Sequence, residues 1–173
     1  VTVGGNLVAT TDANSGVIDL GTTLVTGTVA LTTNGSGNAT FDNDSLNIDL
    51  AASNVGGNLT VTTGNASGIT DSGTVTVGGN LVATTDDNNG VINLGTLAVE
   101  GTIALTTNDD ANDDSAHATI VNNCSTCSGG VGLNFAASTV EGNLTATATT
   151  GNITQNAALT IKGTSTLTTS ANN

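Results

Sequence analysis

The decapeptide VGGNLVATTD runs from Val3 to Asp12 and again, letter for letter, from Val77 to Asp86, a shift of 74 residues. The likeness continues downstream: GVIDLGT at Gly16 answers GVINLGT at Gly90, and GTVALTTN at Gly27 answers GTIALTTN at Gly101. VGGNLTVTTGN from Val55 answers VEGNLTATATTGN from Val140, where the shift has grown to 85. A third copy begins near Leu159, with ALTIKGTSTLTTSANN paralleling TVTVGGNLVATTDDNN. Repetition at this scale implies a stack in which each unit buries its apolar side only against its neighbours.

A shorter period lies inside the long one. Threonine pairs followed by a turn residue close a strand at Thr11, Thr33, Thr63, Thr85, Thr107, Thr150 and Thr169. A rung of about 20–22 residues built from three short strands predicts an all-β fold, a right-handed parallel β-helix (β-solenoid) of six to seven rungs. Residues 1–173 read as a single solenoid segment, with long repeats of three rungs at approximately 3–76 and 77–160, the start of a third at 161–173, and a loop insertion at 108–130.

Side-chain alternation selects the core. It predicts one stacked column of Leu7, Val29, Leu59, Leu81, Ile103 and Leu144, and a second of Ala9, Leu31, Val61, Ala83, Leu105 and Ala146 or Leu167. A slip by one residue would bury threonines instead, so register is strongly specified. With two Phe and no Trp or Tyr, the core must be thin and aliphatic. Glycine, Asn and Asp fill the turns, and the absence of proline leaves every interior N–H available to the rung beside it. No window shows helical spacing, and a hydrophobic content of 36% in regular β-branched runs separates the chain from disordered sequences.

Charge excludes several partners. Net charge is −13 and Lys162 is the only Lys or Arg, so nucleic acid and anionic membrane surfaces would be repelled. No apolar run approaches the roughly 18 residues of a membrane span, and no signal peptide is visible. The sequence starts and stops inside its own repeat and shows no cap, so the expected partners are flanking solenoid repeats of a longer protein or a second molecule meeting it end to end.

The phrases GNLVATT (Gly5 and Gly79), GNLTVTT (Gly57), GNLTATATT (Gly142) and GNITQNAALTIKG (Gly151) resemble the β-helical exoproteins of the filamentous haemagglutinin type, especially the long adhesins exported by two-partner secretion in Gram-negative bacteria. The resemblance covers nearly the whole chain. It implies an extracellular or cell-surface location, a stiff stalk, and adhesion to a host or cell-surface receptor. The amino-terminal secretion domain of that family has no counterpart in this segment.

Three features are candidates for more than architecture. The 108–130 insertion holds Cys124 and Cys127, the only cysteines, and His117, the only histidine. The C-x-x-C lacks the second pair of a zinc site and the helix amino-terminus of a redox motif, so a local disulfide is the expected reading. Asp109, Asp110, Asp113 and Asp114 offer oxygen ligands for Ca²⁺, against the plainer reading of a solvated acidic loop, since the spacing is not that of a calcium loop. Thr10, Thr32, Thr62, Thr84, Thr106 and Thr168 are expected to form an outward ladder, extended sideways by Thr60, Thr145 and Thr166. A flat threonine lattice suits ice, but Val8, Ala30, Val82 and Ala104 interrupt it, and cross-strand threonines also stabilise sheets without a ligand. Eight N-x-[S/T] sequons, at Asn34, Asn38, Asn43, Asn58, Asn65, Asn123, Asn143 and Asn152, are open to glycosylation in a host equipped for it.

Without Arg, Trp or Tyr, the chain lacks the groove residues of polysaccharide-cleaving β-helices, and no cofactor is implied. The sequence therefore predicts a non-catalytic shaft of a large adhesin or extracellular fibre. A self-assembling filament subunit stacked through open ends is the first alternative, and a calcium- or ice-binding module the second.

Overall fold

A computed structural model describes residues 1–12, 14–64, 67–85, 89–110, 114–125 and 131–170. Among them are 21 strands, every pairing parallel, and no helix. The chain is a β-solenoid of about seven turns. Neighbouring strands in such a stack lie roughly 4.8 Å apart, which makes the rod about 34 Å long.

Each turn consists of two arms, and the arms come in two kinds. Straight arms are single strands: β2 (Leu7–Thr10), β5 (Val29–Thr32), β6 (Ala39–Asp42), β9 (Leu59–Thr63), β12 (Leu81–Thr85), β14 (Ile103–Thr106), β15 (Ala118–Asn122), β18 (Leu144–Ala148) and β21 (Ser165–Thr169). Bent arms are two short strands with a break between them. They are β3 (Ile18–Thr22) with β4 (Leu24–Val25), β7 (Ile48–Leu50) with β8 (Ser53–Val55), β10 (Ile69–Asp71) with β11 (Val75–Val77), β16 (Val131–Phe135) with β17 (Ser138–Val140), and β19 (Asn152–Gln155) with β20 (Leu159–Ile161). In β13 (Ile92–Val99) the two halves fuse across a register shift between Leu94 and Leu97, and β1 (Thr2–Val3) is the second half of another. A turn with one arm of each kind therefore carries three strands.

Straight and bent arms do not keep to their own sides. One wall stacks β2 and β5, then β7–β8, β10–β11 and β13, then β15, β18 and β21. The other begins with β3, continues through β6, β9, β12 and β14, and ends with β16–β17 and β19–β20. The cause is in the sequence. Two straight arms follow one another at β5–β6 and again at β14–β15, so each long repeat contains an odd number of arms, seven. It advances three and a half turns rather than the three expected, and corresponding strands land on opposite walls. Leu7 pairs with Val29 in the first wall, while its duplicate Leu81 pairs with Leu59 and Ile103 in the second.

This corrects the predicted columns. Leu59, Leu81 and Ile103 do superpose, as do Leu7 and Val29. Val29, however, is followed by Leu50 and not Leu59, and Ile103 by Phe135 and not Leu144. Leu144 sits in the first wall between Ala118 and Ser165. The expected inward residues remain inward: Val29, Leu59, Leu81, Ile103 and Leu144 are fully buried, and Leu7 packs partly buried against the same core. Two walls with the same in–out alternation accept the same phrase equally well.

Where straight meets bent, the ladders cannot match residue for residue, and buried polar side chains fill the gap. Asn43 of the ATFDN phrase takes the Val25 N–H on Oδ1 at 2.7 Å and gives Nδ2 to the Val25 and Asn47 carbonyls at 3.0 and 2.8 Å. Asn122 of ATIVN repeats this on Val99 and Gly132, at 2.8, 3.1 and 2.7 Å. At the opposite switch, Ser53 Oγ accepts from Leu31 N–H and donates to the Ala51 carbonyl, and Ser138 Oγ does the same with Leu105 and Ala136. Four switches thus have four buried residues, each replacing ladder bonds that would otherwise leave main-chain groups unsatisfied.

Candidate functional site

Corners explain the threonine pairs. In three of the pairs the first threonine faces outward and the second is buried, donating across the corner that follows: Thr33 Oγ1 to Gly37 O at 2.7 Å, Thr85 Oγ1 to Gly90 O at 3.0 Å, Thr107 Oγ1 to Ala116 O at 2.7 Å. Thr63 Oγ1 reaches back instead, to Leu46 O, and Thr150 Oγ1 to Cys124 O. Corners of the G-N type carry a second ladder. Asn38 Oδ1 accepts the N–H of Asn58, Asn58 Oδ1 that of Asn80, and Asn80 Oδ1 that of Thr102, each at 2.8 Å. Asparagine is suited to this because its side-chain carbonyl mimics a backbone acceptor. The recurring Gly-Asn was visible in the sequence; its role was not.

His117 stands in this ladder where asparagine stands elsewhere. Its Nδ1 accepts the Asn143 N–H at 3.0 Å, and Asn143 Oδ1 in turn accepts from Thr164 N–H at 2.8 Å.

The threonines expected as one outward ladder fall into three groups on two walls. Thr10 pairs with Thr32, which is followed by Asn54; Thr62, Thr84 and Thr106 stack between Asp42 and Thr139; Thr168 pairs with Thr147. Thr60 lies between Thr40 and Val82, while Thr145 and Thr166 pair in the other wall. The column thus changes wall between Thr32 and Thr62 and again before Thr168, so these six threonines do not form one lattice.

The acidic insertion folds back on the only lysine. Lys162 Nζ lies 3.2 Å from Asp109 Oδ2 and 3.4 Å from Asp114 Oδ1. Asp109 has a fully buried side chain, its Oδ2 also takes the Asp114 N–H at 3.0 Å, and its own N–H goes to Glu141 Oε2 at 3.1 Å. Desolvation lowers the Lys162 value, but the hydrogen bonds and charges of Asp109 and Asp114 outweigh it and hold the ammonium above its ordinary range. Asp110 points elsewhere and accepts from Asn89 Nδ2 at 2.8 Å; Asp113 lies outside the described residues. Asp109 and Asp114 thus converge on an ammonium, and among the described residues no three acidic, His or Cys side chains gather as a metal site.

Cys124 is buried and disulfide-bonded, with its carbonyl accepting from Thr150 Oγ1 at 2.9 Å. Cys127 lies outside the described residues. A shallow groove of about 250 Å³ opens beside the break in β13, between Thr74, Thr96, Ala98, Val121 and Thr149. Its lining is threonine hydroxyls, the Asn123 amide and apolar groups, without a charged side chain. The break itself is pinned by Asp71, whose carboxylate takes the N–H groups of Gly95 and Thr96 at 2.8 and 2.7 Å and the Thr96 hydroxyl at 2.9 Å.

Neither the curated proteins nor the solved structures contain a match to the chain. A family of repeats does match it twice, at residues 36–88 and 121–173. The two stretches are the copies offset by 85 residues, and the strands they share lie on opposite walls: Leu59 answers Leu144 at that offset, and Val75 answers Leu159 one residue short of it. Together they cover more than half of the sequence, and the chain belongs to the family described as repeats of unknown function (DUF5649).

Proposed function

We propose that the chain is a non-catalytic structural segment, the shaft of a large secreted or surface-displayed bacterial adhesin or extracellular fibre of the filamentous haemagglutinin type. The observation that carries this reading is where the buried polar groups go. Asn43, Asn122, Ser53 and Ser138 are used in joining one turn to the next, as are the corner threonines Thr33 and Thr107, whose hydroxyls accept the N–H groups of Gly56 and Glu141. The lone lysine belongs to a brace between distant corners, Asp109 and Asp114 on one side and β20 on the other. A disulfide at Cys124 suits an oxidising compartment outside the cytoplasm. A net charge of −13 keeps neighbouring rods apart in solution.

Immunogold labelling of intact source cells tests the reading. Gold on fibres projecting from the surface is the expected result; gold confined to the cell interior rejects it.

A further inference from the structure

The ladder of corner amides sorts the sequons. Asn38, Asn58 and Asn143 each give Oδ1 to a main-chain N–H of the next turn, that of Asn58, Asn80 and Thr164, at 2.8 Å. That bond fixes the plane of the carboxamide. All three residues are exposed, and their Nδ2 groups donate to no described residue. The residue after each, Ala39, Leu59 or Leu144, is buried, so the threonine two places on (Thr40, Thr60 or Thr145) faces outward.

The remaining sequons are built differently. Asn43 is fully buried and uses both Nδ2 hydrogens, on the Val25 and Asn47 carbonyls. Asn34 gives one to the Thr11 carbonyl at 3.0 Å. Asn123 and Asn152 are exposed, but among the described residues no main-chain N–H holds their side-chain oxygen. Asn65 lies outside the described residues. Asn6 and Asn80 stand in the ladder with the same geometry, yet a valine, Val8 or Val82, occupies the position two places on.

We propose that Asn38, Asn58 and Asn143 are sites of N-linked sugar attachment and that Asn43 is not. In the transfer, Nδ2 bonds to the anomeric carbon of a sugar carried on a nucleoside or lipid diphosphate. The anomeric C–O bond breaks, the diphosphate leaves with its electron pair, and an Nδ2 proton passes to a base of the transferase. The product is still a carboxamide, so Oδ1 goes on accepting the N–H of the next turn, as a peptide carbonyl accepts although its nitrogen is substituted. The same reaction at Asn43 would take a hydrogen from a buried carbonyl that has it as a partner. Asn38 and Asn58 are one turn apart, about 4.8 Å, which suits short, unbranched sugars. The inference rests on the shaft reading and gives that shaft a carbohydrate coat at its corners.

Peptide mass spectrometry of the protein purified from its source cells is the test, with fragmentation to place each mass gain. Asn38, Asn58 and Asn143 are expected to be heavier by whole sugar units, and Asn43 and Asn80 to keep their unmodified mass. Thr60→Val, produced in the same cells, should lose the sugar on Asn58. Val82→Thr completes a sequon at Asn80 and should gain a sugar there. Unmodified Asn38, Asn58 and Asn143, or a sugar on Asn43, overturns the proposal. Gold on surface fibres whose asparagines are bare rejects the sugars and leaves the shaft standing, whereas gold confined to the cell interior rejects the shaft whatever the masses show.

Discussion

Asn122 grips both main-chain groups of Val99, accepting its N–H at 2.8 Å and donating to its carbonyl at 3.1 Å. The pair sits where bent β13 gives way to straight β15, and Asn122 is 1% exposed. Asn122→Ala leaves buried donors and acceptors without partners and should cost about 3 kcal/mol. Asn93→Ala, on the exposed side of β13, should stay within about 0.5 kcal/mol of the parent. Urea unfolding of both variants measures the difference.

His117 does an asparagine's task at a G-N-type corner, so His117→Asn should preserve stability. His117→Ala removes the acceptor of the Asn143 N–H and should lower stability by about 1 kcal/mol. Thermal melts decide between the two, and equal losses in both variants would remove histidine from the ladder.

Close approach of backbones at Gly132 gives a sharper contrast. A Cβ there would collide with the Thr150 carbonyl oxygen, whereas one at Gly4 meets nothing within 4 Å. Gly132→Ala should force β16 away from the next turn and cost more than about 3 kcal/mol, while Gly4→Ala is close to neutral. Circular dichroism melts of the two variants suffice.

The Lys162 brace has a pH signature. Its ammonium is stabilised in the fold, so its contribution is complete below the ordinary lysine value of 10.5 and fades as pH rises through the raised value. The stability difference between the parent and Lys162→Met should be constant at neutral pH and shrink above pH 10.5. A difference unchanged into strong alkali would separate Lys162 from Asp109 and Asp114.

Inward and outward positions were legible from alternation alone, as Leu59 over Leu81 and the buried Val29 and Ile103 show. Wall assignment was not. GNATFDN and HATIVNN each add an arm without carrying the Leu-x-x-Thr-Thr phrase, and a half turn is invisible to a pattern that reads the same on either side. Clustering in sequence also misled. The run of aspartates suggested shared ligands, but folding sent Asp110 to Asn89 and brought Lys162 from 53 residues away to Asp109. The junction residues were in view as repeated phrases, LAASNV with FAASTV and ATFDN with ATIVN, yet nothing local marks a serine or asparagine as buried.

Duplicated words on opposing sides give the rod an unusual decoration. An antibody raised against the outer residues shared by Val8–Thr10 and Val82–Thr84 would meet them on contrary bearings, about 17 Å apart along the shaft. Bound molecules would alternate like leaves on a twig, each clear of its nearest neighbour, and crowding would begin only with every second one.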